Sequence, residues 1–130
     1  IVMDFSADGL ESGRYLGEDI EALKARSPAS VVLSYISIGE ASDYRTHWDR
    51  AWTSSGLATG TPSAKAPGWL GPNNTAWPNS CKVRYWEEGW QDVIYNERRT
   101  GWLDLIAAQG FDGFFIFCAQ TQAGHERISL

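Results

Sequence analysis

The chain has 130 residues, 43% hydrophobic and 21% charged, the balance of one globular domain with a core of its own. Its net charge of −5 and pI near 4.9 exclude the basic face that phosphate binding requires, so no nucleic-acid partner is expected. No apolar stretch reaches the roughly 20 residues of a membrane-crossing helix, so no membrane partner is expected. The start shows no leader pattern, so a leader was either removed or never present.

In chain order, Ile1 to Phe5 reads as a short buried strand closed by the turn Ser6-Ala7-Asp8-Gly9. Leu16, Ile20 and Leu23 recur at helical spacing and predict an amphipathic helix over 17–26. Its acidic start and basic end suit the helix dipole, and Ser27-Pro28 stops it. Val31 to Ile38 runs without alternating polar residues and predicts a strand covered on both faces of a parallel sheet. Ala41, Tyr44, Trp48, Ala51 and Trp52 share a helical stripe, which predicts a second helix ending before Gly56.

Residues 56–82, rich in Pro, Gly, Ser, Thr and Asn, read as one long lid or binding loop, with at least one of Trp69 and Trp77 anchored. Val83 to Trp86 is a short extended piece. Helical spacing resumes at Trp86, Trp90, Val93 and Ile94 and again, after Thr100-Gly101, at Trp102, Leu103 and Ile106. Gly110 reads as the glycine closing that helix, and Phe114 to Phe117 as the last strand. The domain is placed at 1–120 and a polar tail at 121–130. Strand–helix alternation makes the fold α/β with parallel strands and right-handed crossovers. A (β/α)8 barrel needs about 200 residues, so there is room for half of one, a four-strand sheet with open edges.

Seven Trp stand out, and core packing is favoured over sugar platforms for most of them. Cys81 and Cys118 are too few and too distant for a zinc site; they read as unrelated thiols, with one disulfide in an oxidising compartment as the alternative. His47 and His125 lack catalytic or metal spacing and read as surface residues. No metal or other cofactor is expected.

The run Leu33 to Trp48 carries the functional signal. A buried strand breaks at Gly39, and the carboxylate of Glu40 follows at the strand's carboxyl edge, where α/β folds place their chemistry. Tyr35, Tyr44 and Arg45 are near in sequence. A carboxylate among aromatic rings and a guanidinium suits a sugar, apolar on its faces and hydroxylated at its rim. Asp4, at the end of the neighbouring strand, is a second candidate carboxylate. Asp112 starts its strand and reads as structural.

These blocks resemble glycoside hydrolase family 114, the endo-α-1,4-polygalactosaminidase-like proteins. The resemblance rests on Val2 to Ser6 with Asp8-Gly9, Leu33 to Ala41 with Asp43-Tyr44-Arg45, and Gly71-Pro72-Asn73 with Trp77. Tyr85-Trp86 with Trp90, and Ala108 to Gly113, complete it. It implies a (β/α)-barrel, often secreted, that cleaves galactosamine-type polymers with strand-end carboxylates. Carried onto this chain, it makes Glu40 and Asp4 the catalytic candidates and Tyr35, Tyr44, Arg45, Trp77 and Trp86 the substrate-binding ones. The family's last strand here would end in Asp, with another Asp three positions on; this chain has Phe117 and Gln120. Glycoside cleavage uses two carboxyl groups, so a carbohydrate-binding half-barrel with little or no hydrolase activity is expected. The alternatives are an enzyme completed by oligomerisation or by a missing C-terminal half, and a self-associating structural protein that binds no sugar. Open sheet edges predict a homodimer or higher homo-oligomer.

Overall fold

The computed structural model describes residues 1–118. Gln120, the tail 121–130 and His125 lie outside the described residues.

Strands β1 (Val2–Met3), β2 (Leu33–Ser37) and β6 (Gly113–Phe117) form one parallel sheet in the order β1-β2-β6. Helix α1 (Gly17–Arg26) connects β1 to β2. Asp19 accepts the Leu16 N–H at 2.8 Å to satisfy the helix start, and Ile20 is its buried residue. Between β2 and β6 the chain leaves this sheet and builds a second, antiparallel one. Its strands β3 (Glu40–Ser42), β4 (Leu70–Asn73) and β5 (Ser80–Val83) lie in the order β3-β5-β4. Helices α2 (Glu88–Ile94) and α3 (Trp102–Ala107) then lead back to β6. The described residues are thus mixed α/β with a three-stranded parallel sheet, not the four strands expected.

The structure corrects several sequence expectations. The helix predicted over 41–52 does not form. Glu40, Ala41 and Ser42 pair instead with Lys82, Cys81 and Ser80, and only one 3-10 turn, Arg50–Trp52, follows. Cross-strand pairing overrode a stripe that turns deliver equally well, because Trp48 and Trp52 still meet edge to face at 5.4 Å. The supposed loop 56–82 contains β4 and most of β5. Strand β2 is not covered on both faces: Ser34 and Ile36 are buried, whereas Leu33, Tyr35 and Ser37 are only partly so. The first strand is two residues long, and Val2 is half-exposed while Phe5 beyond it is buried.

Five of the seven Trp build one aromatic stack that joins the two sheets to the helices. Trp48 meets Trp52, Trp52 meets Trp69 at 5.0 Å, and Trp69 meets Trp90 at 4.8 Å. His47 then bridges Trp90 and Trp102 at 5.3 and 5.0 Å, which overturns its assignment to the surface. Each such pair adds about 0.5–1.5 kcal/mol beyond its buried area. The stack needs close approach: a Cβ on Gly89 of α2 would lie 2.9 Å from the Trp69 ring. The Trp90 indole donates to the Ile38 carbonyl at 2.8 Å, fixing α2 beneath the point where β2 turns into β3.

At the opposite end of the parallel sheet, Lys24 of α1 pairs with Asp112 at 2.6 Å and donates to the Gly110 carbonyl. Asp112 also accepts the Val32 N–H at 2.8 Å. Both contacts tie elements together. Gly110 has φ +90°, the left-handed conformation that closes the segment after α3. Cys81 and Cys118 are both free thiols.

Candidate functional site

Strands β2 and β6 run in parallel register, Ser37 opposite Phe117, so their carboxyl ends finish together. Gly39 then reverses the chain into β3. A cleft of about 360 Å³ opens at this edge, between the ends of the parallel strands and the antiparallel sheet. Tyr35 and Ser37 of β2 and Phe117 of β6 line one side, and Ser42 of β3, Ser80 of β5 and Trp77 of the β4–β5 hairpin the other. Glu40, Tyr44, Arg45 and Trp102 complete it.

Glu40 is 8% exposed and accepts a 2.5 Å hydrogen bond from the Asn74 amide. The sheet turn places it: β3 begins at Glu40, directly opposite Lys82 of β5. Tyr35 lies close by, and burial, followed by the Glu40 charge, raises its phenol above the usual value. The same burial and the charges of Asp43 and Glu40 push the Cys81 thiol up to about 11, and its Sγ donates to the Ala58 carbonyl at 3.3 Å. Cys81 is packing, not a nucleophile.

Arg45 is buried, and both terminal nitrogens of its guanidinium are engaged. It meets both oxygens of Asp4, at 3.0 and 2.6 Å, and the Gly9 carbonyl at 2.7 Å. The rings of Phe5, Tyr44 and Trp102 lie about 5 Å from its centre. Burial alone works against its charge, but the Asp4 hydrogen bond and charge outweigh it and hold the guanidinium protonated beyond its ordinary range. The pair, with the Gly9 carbonyl, ties the loop after β1 to the turn after β3.

Of the residues singled out from sequence, the cleft brings together Glu40, Tyr35, Tyr44, Arg45 and Trp77. It does not include Asp4, whose carboxylate is held by Arg45 behind the lining. Trp86 also lies outside, 58% exposed and edge-on to Tyr85 at 5.2 Å. Four lining residues escaped the sequence reading. Trp102 carries only a helical-core signal, and Ser37, Ser42 and Ser80 become a hydroxyl row only when two sheets meet. Ser42 and Ser80 share a hydrogen bond of 2.8 Å. Among the described residues, no three His, Cys, Asp or Glu converge as metal ligands, and no helix is long and apolar enough to cross a membrane.

A buried carboxylate, serines on both sides and exposed aromatic faces (Trp77 at 67%, Phe117 at 44%) equip the cleft for a polar ring with apolar faces. Comparison with known proteins agrees in kind. Residues 1–116 match the model of glycoside-hydrolase family GH114. The chain is 39% identical over 116 residues to an uncharacterized protein of Methanocaldococcus jannaschii, covering 89% of this chain and 29% of that protein. It is 37% identical over 116 residues to one of Thermotoga maritima, covering 88% and 30%. A Deinococcus radiodurans protein is 28% identical over 104 residues, covering 80% and 29%. The chain therefore spans only about 30% of the length of these relatives. The family match ends one residue before Phe117. Over that length the chain belongs to glycoside-hydrolase family GH114.

Proposed function

We propose that the chain is a sugar-binding part of a (β/α)-barrel, that its cleft takes amino-sugar units of the galactosamine type, and that it does not by itself hydrolyse their polymers. One observation carries this reading: Glu40 is a buried carboxylate lining the cleft, bonded to a neutral amide, while the neighbouring guanidinium is neutralised by Asp4. A ligand that brings an ammonium group and hydroxyls, with an apolar ring face for Trp77, complements that wall. A charged hydrogen bond of this kind contributes about 1.5–3 kcal/mol. For hydrolysis two carboxyl groups must flank the bond. The lining holds Glu40 alone, with Phe117 where the resembling family ends its strand in Asp.

Calorimetric titration with α-1,4-galactosamine oligomers, and with the N-acetylated oligomers as contrast, tests the reading. Binding of the free amine form, reduced about 10- to 100-fold by Glu40→Gln, is expected, with no release of reducing ends. Equal binding of both forms, or none, would overturn it.

A second reading is favoured by the relatives' length. In proteins about three times as long, the remaining strand–helix units supply the second carboxylate and this segment is part of an active hydrolase. Hydrolysis that appears when the segment is expressed joined to the remainder of such a relative, and disappears with Glu40→Gln, would establish it.

A further inference from the structure

We infer that Asn74 is a positioning residue that sets Glu40 and Trp77, the charged floor and the exposed aromatic wall of the cleft, as one unit. The inference deepens the amino-sugar reading and rests on it for the identity of the ligand, but the coupling itself is a property of the chain alone.

Asn74 follows β4 at the start of the hairpin to β5, and every polar group it has is engaged. Its N–H donates to the Ser80 carbonyl at 2.8 Å, and its carbonyl accepts the Trp77 N–H at 3.0 Å. Its side-chain Oδ1 accepts the Ala76 N–H at 3.0 Å. That contact fixes which way the amide points, because only an oxygen can accept from Ala76. The Nδ2 must then face Glu40, where it donates at 2.5 Å. The residue on which the turn carrying Trp77 is built is therefore also the donor to the carboxylate. Asn73 braces the same hairpin by donating to the Pro78 and Ser80 carbonyls, and the Asn79 carbonyl accepts the Asp43 N–H just beyond β3. The hairpin tip thus has no slack in which Trp77 could settle independently of Glu40.

Asn74→Asp separates the two jobs. The new carboxylate still accepts from Ala76 and keeps the turn, since Asp and Asn serve there alike. It cannot donate to Glu40 and sets like charge against it. Around Glu40, Tyr35 from β2, Cys81 from β5 and Arg45 titrate far above neutrality, and Lys82 stands opposite in register.

The first arm uses the ligand-free chain labelled with fluorotryptophan, the Trp77 resonance being identified by its loss in Trp77→Phe. Glu40→Ala and Asn74→Asp are each expected to shift that resonance, and the double variant to shift it no further than the larger single change. A Trp77 resonance unmoved by Glu40→Ala, or shifts that simply add, would overturn the inference. The second arm measures binding of α-1,4-galactosamine oligomers. Asn74→Asp is expected to weaken it at least about tenfold near pH 7.5, with the deficit shrinking as the pH is lowered, because a carboxyl pair that takes up one proton can again make the hydrogen bond. A merely structural lesion would give a pH-independent loss, and that result, or unimpaired binding, would also overturn the inference. If Asn74→Asp does not fold, Asn74→Ser keeps a turn acceptor without the reach to Glu40 and is held to the same criteria except the pH trend. A wild-type chain that binds no oligomer overturns the amino-sugar reading alone, and the fluorine arm still decides the role of Asn74.

Discussion

Arg45 grips both carboxylate oxygens of Asp4 from 41 residues away, so the two charged residues that the sequence offered as companions of Glu40 hold each other. The pair is a fork-to-fork contact, two parallel charged hydrogen bonds, set among aromatic faces. Asp4→Asn is expected to destabilise the chain by about 2–3 kcal/mol. That is less than the ~3–5 of a fully buried pair, because the Asp4 side chain stays 30% exposed. Arg45→Lys should cost nearly as much, since an ammonium cannot meet both oxygens in plane. Urea unfolding at constant slope is the measurement, and a loss under about 0.5 kcal/mol for either variant would show that the pair is incidental.

His47 gives the chain an acid limit. Both its ring nitrogens are buried without a hydrogen-bond partner among the described residues, and burial, with the Arg45 charge, lowers its pKa from 6.5 to about 4. Between those values the unfolded chain binds a proton that the folded chain refuses. Stability is therefore complete above about pH 6.5 and falls as pH drops toward 4, by on the order of 2–3 kcal/mol from this one group. His47→Phe, which keeps an aromatic ring between Trp90 and Trp102, should flatten that limb of the stability profile. An unchanged slope between pH 6.5 and 4 would place the acid sensitivity elsewhere.

Among the described residues strand β6 has one parallel neighbour, β2, and Phe115, Ile116 and Phe117 are 48%, 55% and 44% exposed. A flat apolar edge strand invites pairing. A second copy of the chain is the expected occupant, so the mass measured by light scattering should rise with concentration. Ile116→Lys should return the chain to monomer, because a charge on an edge strand blocks pairing. A concentration-independent monomer in the unmodified chain would refute this.

Phe117 lines the cleft with its ring 6.2 Å from that of Tyr35. A phenyl ring neither gives nor takes a proton. Phe117→Asp is expected to raise cleavage of α-1,4-galactosamine polymers by about 10²-fold or more over the unmodified chain, the usual worth of one acid–base group. Reducing-end assays decide it. Strong Glu40-dependent turnover without the substitution would mean that the second carboxyl group comes from another residue.

The α/β alternation was legible because its signals are local. Helix α1 matches its apolar spacing and polar ends residue for residue, and the Gly101 and Gly110 boundaries of α3 follow from glycine chemistry. The antiparallel sheet was not legible. Residues 40–42 are three residues long, and what makes them a strand is Ser80–Val83, nearly forty positions on. Within the cleft, Glu40, Tyr35 and Tyr44 announced themselves through the Gly39 break. Asn74 and the serines acquire meaning only from partners that hairpin closure brings near. The opposite error befell His47, whose isolation in sequence concealed its place between two indoles.

The antiparallel sheet enters and leaves between two strands of the parallel one, so the two walls of the cleft are separable in their constraints. Residues on β2 and β6 answer to a shared hydrogen-bond ladder and tolerate little change in length. The hairpin of β4 and β5 answers to β3 and to the asparagine frame of its own turn, and a changed side chain at its exposed tip would meet a different part of a ligand without disturbing the register beneath. Divergence in what this cleft accepts is therefore expected to accumulate as exchanges of the exposed tip residues 75–78, with Asn74 and the strand ends almost unchanged.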